Sequence, residues 1–94
     1  MELGRVRGSI WCTRKSGELA GAKLLLVEDC ELGAAESSTK KPGKKLRVCA
    51  DVIGAGVGER VLIATGYAAR KAVGDEKAPV DAAVVAIVDG WEFS

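Results

Sequence analysis

Residues 46–65, LRVCADVIGAGVGERVLIAT, carry the clearest indication of the fold class. In residues 46–52, apolar Leu, Val, Ala and Val alternate with Arg, Cys and Asp, which predicts a β-strand. The glycine-rich residues 54–59 predict a tight turn, and the β-branched and aliphatic residues 60–65 predict a second strand. The centre of the chain therefore predicts a fold built mainly from strands.

Three further strands and one helix are predicted outside this stretch. Residues 3–13 follow a rough two-residue period, and residues 23–29 and 80–88 have aliphatic centres. Residues 66–73 predict a short helix, because they are rich in alanine and a glycine lies at each end. Together these elements predict an all-β fold, a small five-stranded OB-like β-barrel with one short helix. A closed barrel suits so short a chain, since it leaves no sheet edge exposed.

Length and composition indicate how the chain is organised. Its 94 residues are too few for two independent cores, so we expect a single domain over residues 1–94. Residues 33–45 are small, polar and basic, which predicts a flexible loop, and we expect residues 90–94 to form a flexible tail. No apolar run approaches the roughly 18 residues of a membrane span, and the first residues do not resemble a secretory signal. We therefore expect a cytoplasmic protein without a membrane partner.

Charge and residue types argue against most enzymatic functions. Fourteen basic and 13 acidic residues give a net charge of +1, so no overall field attracts a polyanion. The chain has no histidine, which removes Ser-His and Cys-His pairs and imidazole metal ligands. Cys12, Cys30 and Cys49 form no Cys-x-x-Cys pair, so we expect reduced thiols and not a disulfide framework or a zinc site. We predict no catalytic residue, no cofactor and no metal.

Two motifs suggest ligands. Residues 54–59, Gly-Ala-Gly-Val-Gly-Glu, resemble a dinucleotide fingerprint, but Glu59 replaces its last glycine and a strand follows, not a helix. The second motif is a basic cluster made of Lys40, Lys41, Lys44, Lys45 and Arg47. This cluster gives the alternative function, a monomeric OB-like module that binds single-stranded nucleic acid. The alternative lacks a stacking platform, because no aromatic residue lies between Trp11 and Tyr67.

Two of the four aromatic residues, Trp91 and Phe93, lie in the last four positions. A terminal aromatic side chain can anchor on a neighbouring subunit, where a large apolar ring contributes much of the binding energy. It can equally pack on the barrel of its own chain. The sequence leaves both alternatives open.

Six segments occur in an order and spacing that point to a family. They are residues 4–8 (GRVRG), 23–27 (KLLLV), 51–59 (DVIGAGVGE), 61–62 (VL), 66–70 (GYAAR) and 79–89 (PVDAAVVAIVD). Together they resemble the EutN/CcmL family of bacterial microcompartment vertex proteins. The loop at residues 33–45 is not part of the resemblance.

The resemblance implies an OB-like barrel that assembles into a cyclic pentamer, with a hexamer as the rarer form. Such pentamers cap the corners of a polyhedral protein shell in the bacterial cytoplasm, and the facets are tiled by a different, hexameric protein family. It therefore implies a structural function, with copies of the chain itself and hexameric facet proteins as partners.

On this hypothesis several residues are candidates for contacts between subunits. We expect the turn at residues 54–59 to lie near a subunit interface or the ring axis, and a positive φ at its middle glycine would make that position intolerant of valine. The candidates are the turn residues Gly54, Gly56, Gly58 and Glu59, the charged residues Arg70 and Asp81, and the aromatic residues Trp91 and Phe93.

Overall fold

Five strands and one helix make up the part of the chain that the computed structural model describes, residues 1–13, 17, 23–30, 45–75 and 77–92. In chain order they are β1 (Glu2–Ile10), β2 (Lys23–Asp29), β3 (Leu46–Asp51), β4 (Arg60–Thr65), α1 (Gly66–Ala72) and β5 (Ala82–Ile87). The strands close into a barrel in the order β1-β2-β3-β5-β4. The predicted five-stranded barrel with one short helix is confirmed; the largest difference in bounds is the end of β1, which stops at Ile10 and not at residue 13.

The two segments predicted to be flexible lie partly outside the described residues. Of the loop at residues 33–45 only Lys45 is described, and of the tail at residues 90–94 the last two residues are not. The flexibility of both segments stays a prediction.

The barrel closes through one parallel pairing. All other neighbouring strands are antiparallel, but β3 and β5 run parallel, with Ala50 opposite Ala83 and Asp51 opposite Val84. Because β5 lies between β3 and β4, the chain from β3 to β4 does not form a hairpin. Residues 52–59, here called the β3–β4 loop, therefore cross from one strand to a strand that is not its neighbour.

The barrel interior is filled by small aliphatic side chains. The interior cluster consists of Val6, Leu25, Val27, Cys49, Ala55, Val61, Ile63, Ala82 and Val84. Gly4 of β1 lies against this cluster, and a Cβ atom there would be 2.5 Å from Val27 Cγ1 and 2.8 Å from Ile63 Cδ1. Contacts this short are repulsive, so any larger residue at this position would force the neighbouring side chains to move.

Helix α1 covers a second, smaller apolar cluster outside the barrel. Ala50, Ala69 and Ala83 form its buried centre. Gly74, shortly after the helix, has φ +84°, and the N–H of Gly74 donates to the carbonyl of Lys71. A glycine with positive φ and such a hydrogen bond commonly ends a helix. No helix in the described ranges is long and apolar enough to cross a membrane.

Candidate functional site

Asp51, the last residue of β3, anchors the β3–β4 loop. Its Oδ1 accepts hydrogen bonds from the backbone N–H groups of Ile53 (3.2 Å), Gly54 (3.0 Å) and Ala55 (3.3 Å). The Asp51 side chain is only 1% exposed, and its Oδ2 lies 3.9 Å from Lys23 Nζ. A carboxylate that accepts several N–H bonds at the start of a loop fixes the backbone there.

Two of the three loop glycines are required by backbone conformation. Gly54 has φ +83° and Gly58 has φ +93°, a region that residues with a Cβ rarely adopt. Gly56 has no positive φ, and a Cβ there would meet its nearest atom, Glu59 Oε1, at 3.5 Å. The predicted intolerance of valine at position 56 required a positive φ, which Gly56 does not have. The positive φ angles of this loop are at Gly54 and Gly58.

The far end of the loop is held by side chains and by β1. Glu59 Oε1 accepts a hydrogen bond from the N–H of Gly56 at 2.6 Å, and Arg5 Nη1 donates to the carbonyl of Gly58 at 2.6 Å. The Val6 N–H donates to the carbonyl of Glu59, and the Gly58 N–H donates to the carbonyl of Val6. Both ends of the loop are thus fixed to the barrel.

The loop presents apolar side chains to solvent. Ala55 is buried in the barrel interior, whereas Val52 and Ile53 are exposed and Val57, at the turn, is 70% exposed. Residues 52–58 carry no charge. A rigid loop with an uncharged segment and three exposed β-branched side chains is suited to packing against a protein surface.

A second surface lies at the other end of β3. It is a groove of about 570 Å³, here called the β3 groove, lined by Lys45, Arg47, Val48, Thr65, Gly66, Asp81 and Ala82. Leu46 and Val48 share a face of β3 and remain 52% and 45% exposed, since α1 covers that face only at Ala50.

Arg47 of the groove is already paired. Its Nη2 contacts a carboxylate oxygen of Glu2, and it also lies 2.9 Å from Asp29 Oδ1. Burial alone would lower the pKa of Arg47, but the hydrogen bond with Glu2 and the charge of Asp29 raise that pKa above its ordinary value. An arginine held by two carboxylates is poorly placed to bind phosphate, and Lys40, Lys41 and Lys44 lie outside the described residues.

The structure distributes the remaining candidates over three places. Asp81 is exposed and lines the β3 groove, whereas Arg70 is half-buried on α1, and no ion pair joins the two in the described ranges. The Trp91 ring lies 4.4 Å from the guanidinium carbon of Arg60, next to the end of the β3–β4 loop. Trp91 thus contacts its own barrel, and Phe93 lies outside the described residues.

Sequence reasoning missed Asp51 and Arg5 as site residues. An aspartate before a glycine-rich turn is a known signal for side-chain hydrogen bonds to the following backbone, so Asp51 was within reach. Arg5 was not, because its partner Gly58 is 53 residues away along the chain. In the described ranges no three Cys, Asp or Glu side chains are grouped so as to hold a metal ion.

The family model described as "Ethanolamine utilisation protein EutN/carboxysome" matches residues 1–89. This chain belongs to the EutN/CcmL family. A carboxysome shell vertex protein, CcmL of Gloeobacter violaceus, is 39% identical over 89 residues, which cover 95% of this chain and 83% of the relative. The microcompartment shell vertex protein PduN of Salmonella typhimurium is 43% identical over 93 residues, which cover 95% and 96%.

Solved EutN/CcmL structures share the barrel. The GrpN pentameric microcompartment shell protein from Rhodospirillum rubrum superposes with a TM-score of 0.79 at 36% identity, covering all of both chains. The pentameric shell protein from the RMM microcompartment has a TM-score of 0.76 at 30% identity and covers 100% of this chain and 96% of its own.

Proposed function

We propose that this chain is a structural protein that forms a cyclic pentamer and caps the vertices of a polyhedral bacterial microcompartment shell in the cytoplasm. The carrying observation is the full-length match, in sequence and in fold, to a pentameric microcompartment shell protein. The domain is proposed to extend over residues 1–94. Its task is geometric, because a flat hexagonal layer closes into a polyhedron only where five-fold units replace six-fold ones.

The work of this protein is assembly and not catalysis. The absence of histidine from the sequence supports this, since the commonest general base and metal ligand is missing. The two surfaces with exposed aliphatic side chains support it as well, because such surfaces serve contacts between proteins. The partners are copies of the chain itself and the hexameric proteins of the shell facets.

Native mass spectrometry of the purified protein tests the ring. Five copies of the 9.8-kDa chain give about 49 kDa, whereas a six-membered ring gives about 59 kDa. A solution of 9.8-kDa monomers at micromolar concentration would contradict the proposal.

Co-expression with a hexameric facet protein tests the position in the shell. Electron microscopy is expected to show closed polyhedra when both proteins are present, and open sheets or tubes when the facet protein is alone. Polyhedra that close equally well without this chain would contradict a vertex function.

A further inference from the structure

We propose that the ring is built by inserting the β3–β4 loop of one copy, with Val57 at its tip, into the β3 groove of the next copy. The inference rests on the proposed pentamer and names the two unlike surfaces that such a ring needs. In a cyclic assembly each subunit uses two different patches, one for each neighbour. The partner is thus a second copy of this chain.

The distribution of exposed apolar side chains supports these two surfaces. In the described ranges nine large hydrophobic side chains are exposed, and five of them, Leu46, Val48, Val52, Ile53 and Val57, lie between residues 46 and 57. Two belong to the face of β3 beside the groove, and three belong to the β3–β4 loop. A rise of about 3.3 Å per residue places the two ends of β3 roughly 16–20 Å apart, so the surfaces are separate.

Shape and charge make the loop a suitable occupant of the groove. The loop is convex, because Val57 lies between two glycines at a turn and is the most exposed of these five side chains. The β3 groove is concave, and its volume of about 570 Å³ is ample for a valine side chain with its neighbours. Residues 52–58 of the loop bring no charge into the groove, where a charge without a partner would be costly. The Arg47 charge of the groove already has carboxylate partners, and Lys45 and Asp81 of the lining are exposed residues.

Rigidity of the loop lowers the entropic cost of insertion. Asp51 fixes the start of the loop through three N–H bonds, and Arg5 fixes its end at the Gly58 carbonyl. A segment that already has its bound conformation loses little freedom on binding. The β3 edge at the groove is also open, because in the described part of the chain residues 46–49 of β3 pair only with β2.

Two charged substitutions at these exposed positions test the pairing. Val48→Glu removes the groove surface and Val57→Glu removes the loop surface, and each variant alone is expected to run as a folded monomer. Lys77→Gln, in the connection after α1, makes the same change of net charge outside both surfaces and should leave the ring intact. Circular dichroism and thermal melting confirm that the monomers are folded.

Mixing the two variants gives the decisive readout. A Val57→Glu copy keeps its groove and a Val48→Glu copy keeps its loop, so an equimolar mixture is expected to form a 1:1 heterodimer by native mass spectrometry. The heterodimer should be absent from either variant alone. The experiment uses the concentration at which the wild-type chain is fully assembled.

The outcomes separate this inference from the proposed function. If Val48→Glu or Val57→Glu still forms the same ring as the wild-type chain, or if the mixture gives no heterodimer, the proposed pairing of loop and groove is wrong. The proposed pentamer is not affected by either result. A wild-type protein that is itself monomeric overturns both.

Discussion

The barrel interior around Gly4 and the β3–β4 loop both depend on glycine, for different physical reasons. At Gly4 the backbone is ordinary extended strand, and the constraint is space, since a Cβ would lie 2.5 Å from Val27 Cγ1. At Gly54 and Gly58 there is nothing within 4 Å of the Cβ position, and the constraint is a positive φ. The interior is therefore held by close packing, and the loop is held by backbone conformation and hydrogen bonds.

The largest expected effect concerns packing at Gly4. Gly4→Ala is expected to lower the free energy of unfolding by about 2–3 kcal/mol, because the new methyl group overlaps Val27 and Ile63. Gly8→Ala in the same strand is the matched control, since its Cβ would meet Leu26 Cδ1 at 3.9 Å, an ordinary contact. Urea unfolding of both variants measures the difference, and equal stabilities would show that the interior adjusts without cost.

A second prediction for the barrel interior is that the free energy of unfolding depends on pH through Cys49. Burial raises the pKa of this thiol from an ordinary 9.0 to about 11. The folded state favours the neutral thiol, so its contribution is complete below pH 9 and is lost as the pH rises through 11, about 2–3 kcal/mol in total. Denaturation of wild type and Cys49→Ala over this range measures the loss, and parallel pH profiles for the two proteins would contradict it.

The loop is tested first at its carboxylate anchor. Asp51→Ala leaves three backbone N–H groups without their acceptor and is expected to cost about 1–2 kcal/mol. Asp51→Asn keeps an oxygen at the Oδ1 position and should lose less. Thermal melting ranks the two variants; if both lose the same stability, the negative charge and not the acceptor geometry holds the loop.

The smallest effect distinguishes two glycines of the loop. Gly58→Ala is expected to cost about 1 kcal/mol, because φ +93° is strained for a residue with a Cβ. Gly56→Ala should be close to neutral, since Gly56 has no positive φ and only an ordinary contact with Glu59. Chemical denaturation measures the free energy of unfolding of both variants. A greater loss of stability in Gly56→Ala would contradict the assignment of positive φ to Gly58 and not to Gly56.

Much of the fold follows from local patterns. The two-residue period and the aliphatic runs predict five strands, and the observed bounds of β2 and β4 agree with the prediction at both ends. The order of the strands around the barrel does not follow, because the parallel pairing of Ala50 with Ala83 joins segments more than 30 residues apart. Long-range pairing depends on which surfaces pack together, and no local pattern encodes it.

In the candidate site, too, some features can be predicted from local sequence and others depend on long-range contacts. The glycine-rich loop is visible in the sequence, but the sequence does not show that Gly54 and Gly58, and not Gly56, have positive φ. The sequence shows Trp91 as an aromatic residue near the end of the chain. It does not show that Trp91 contacts Arg60, because the fold alone brings the segment after β5 next to the start of β4. The assignment of Asp81 to the β3 groove likewise depends on four elements, β3, β4, α1 and β5, meeting there.

The strands, the short helix, the glycine-rich loop and the family can all be identified without a structure, because each is encoded in neighbouring residues or in the order of short motifs. The different requirements at Gly4 and Gly8 become visible only in the folded barrel, since in the segment GRVRG the two glycines look equivalent on either side of the same three residues. The physical reason is that packing is a property of the space between strands. Gly4 lies against Val27 and Ile63 in the barrel interior, whereas Gly8 has room for a side chain.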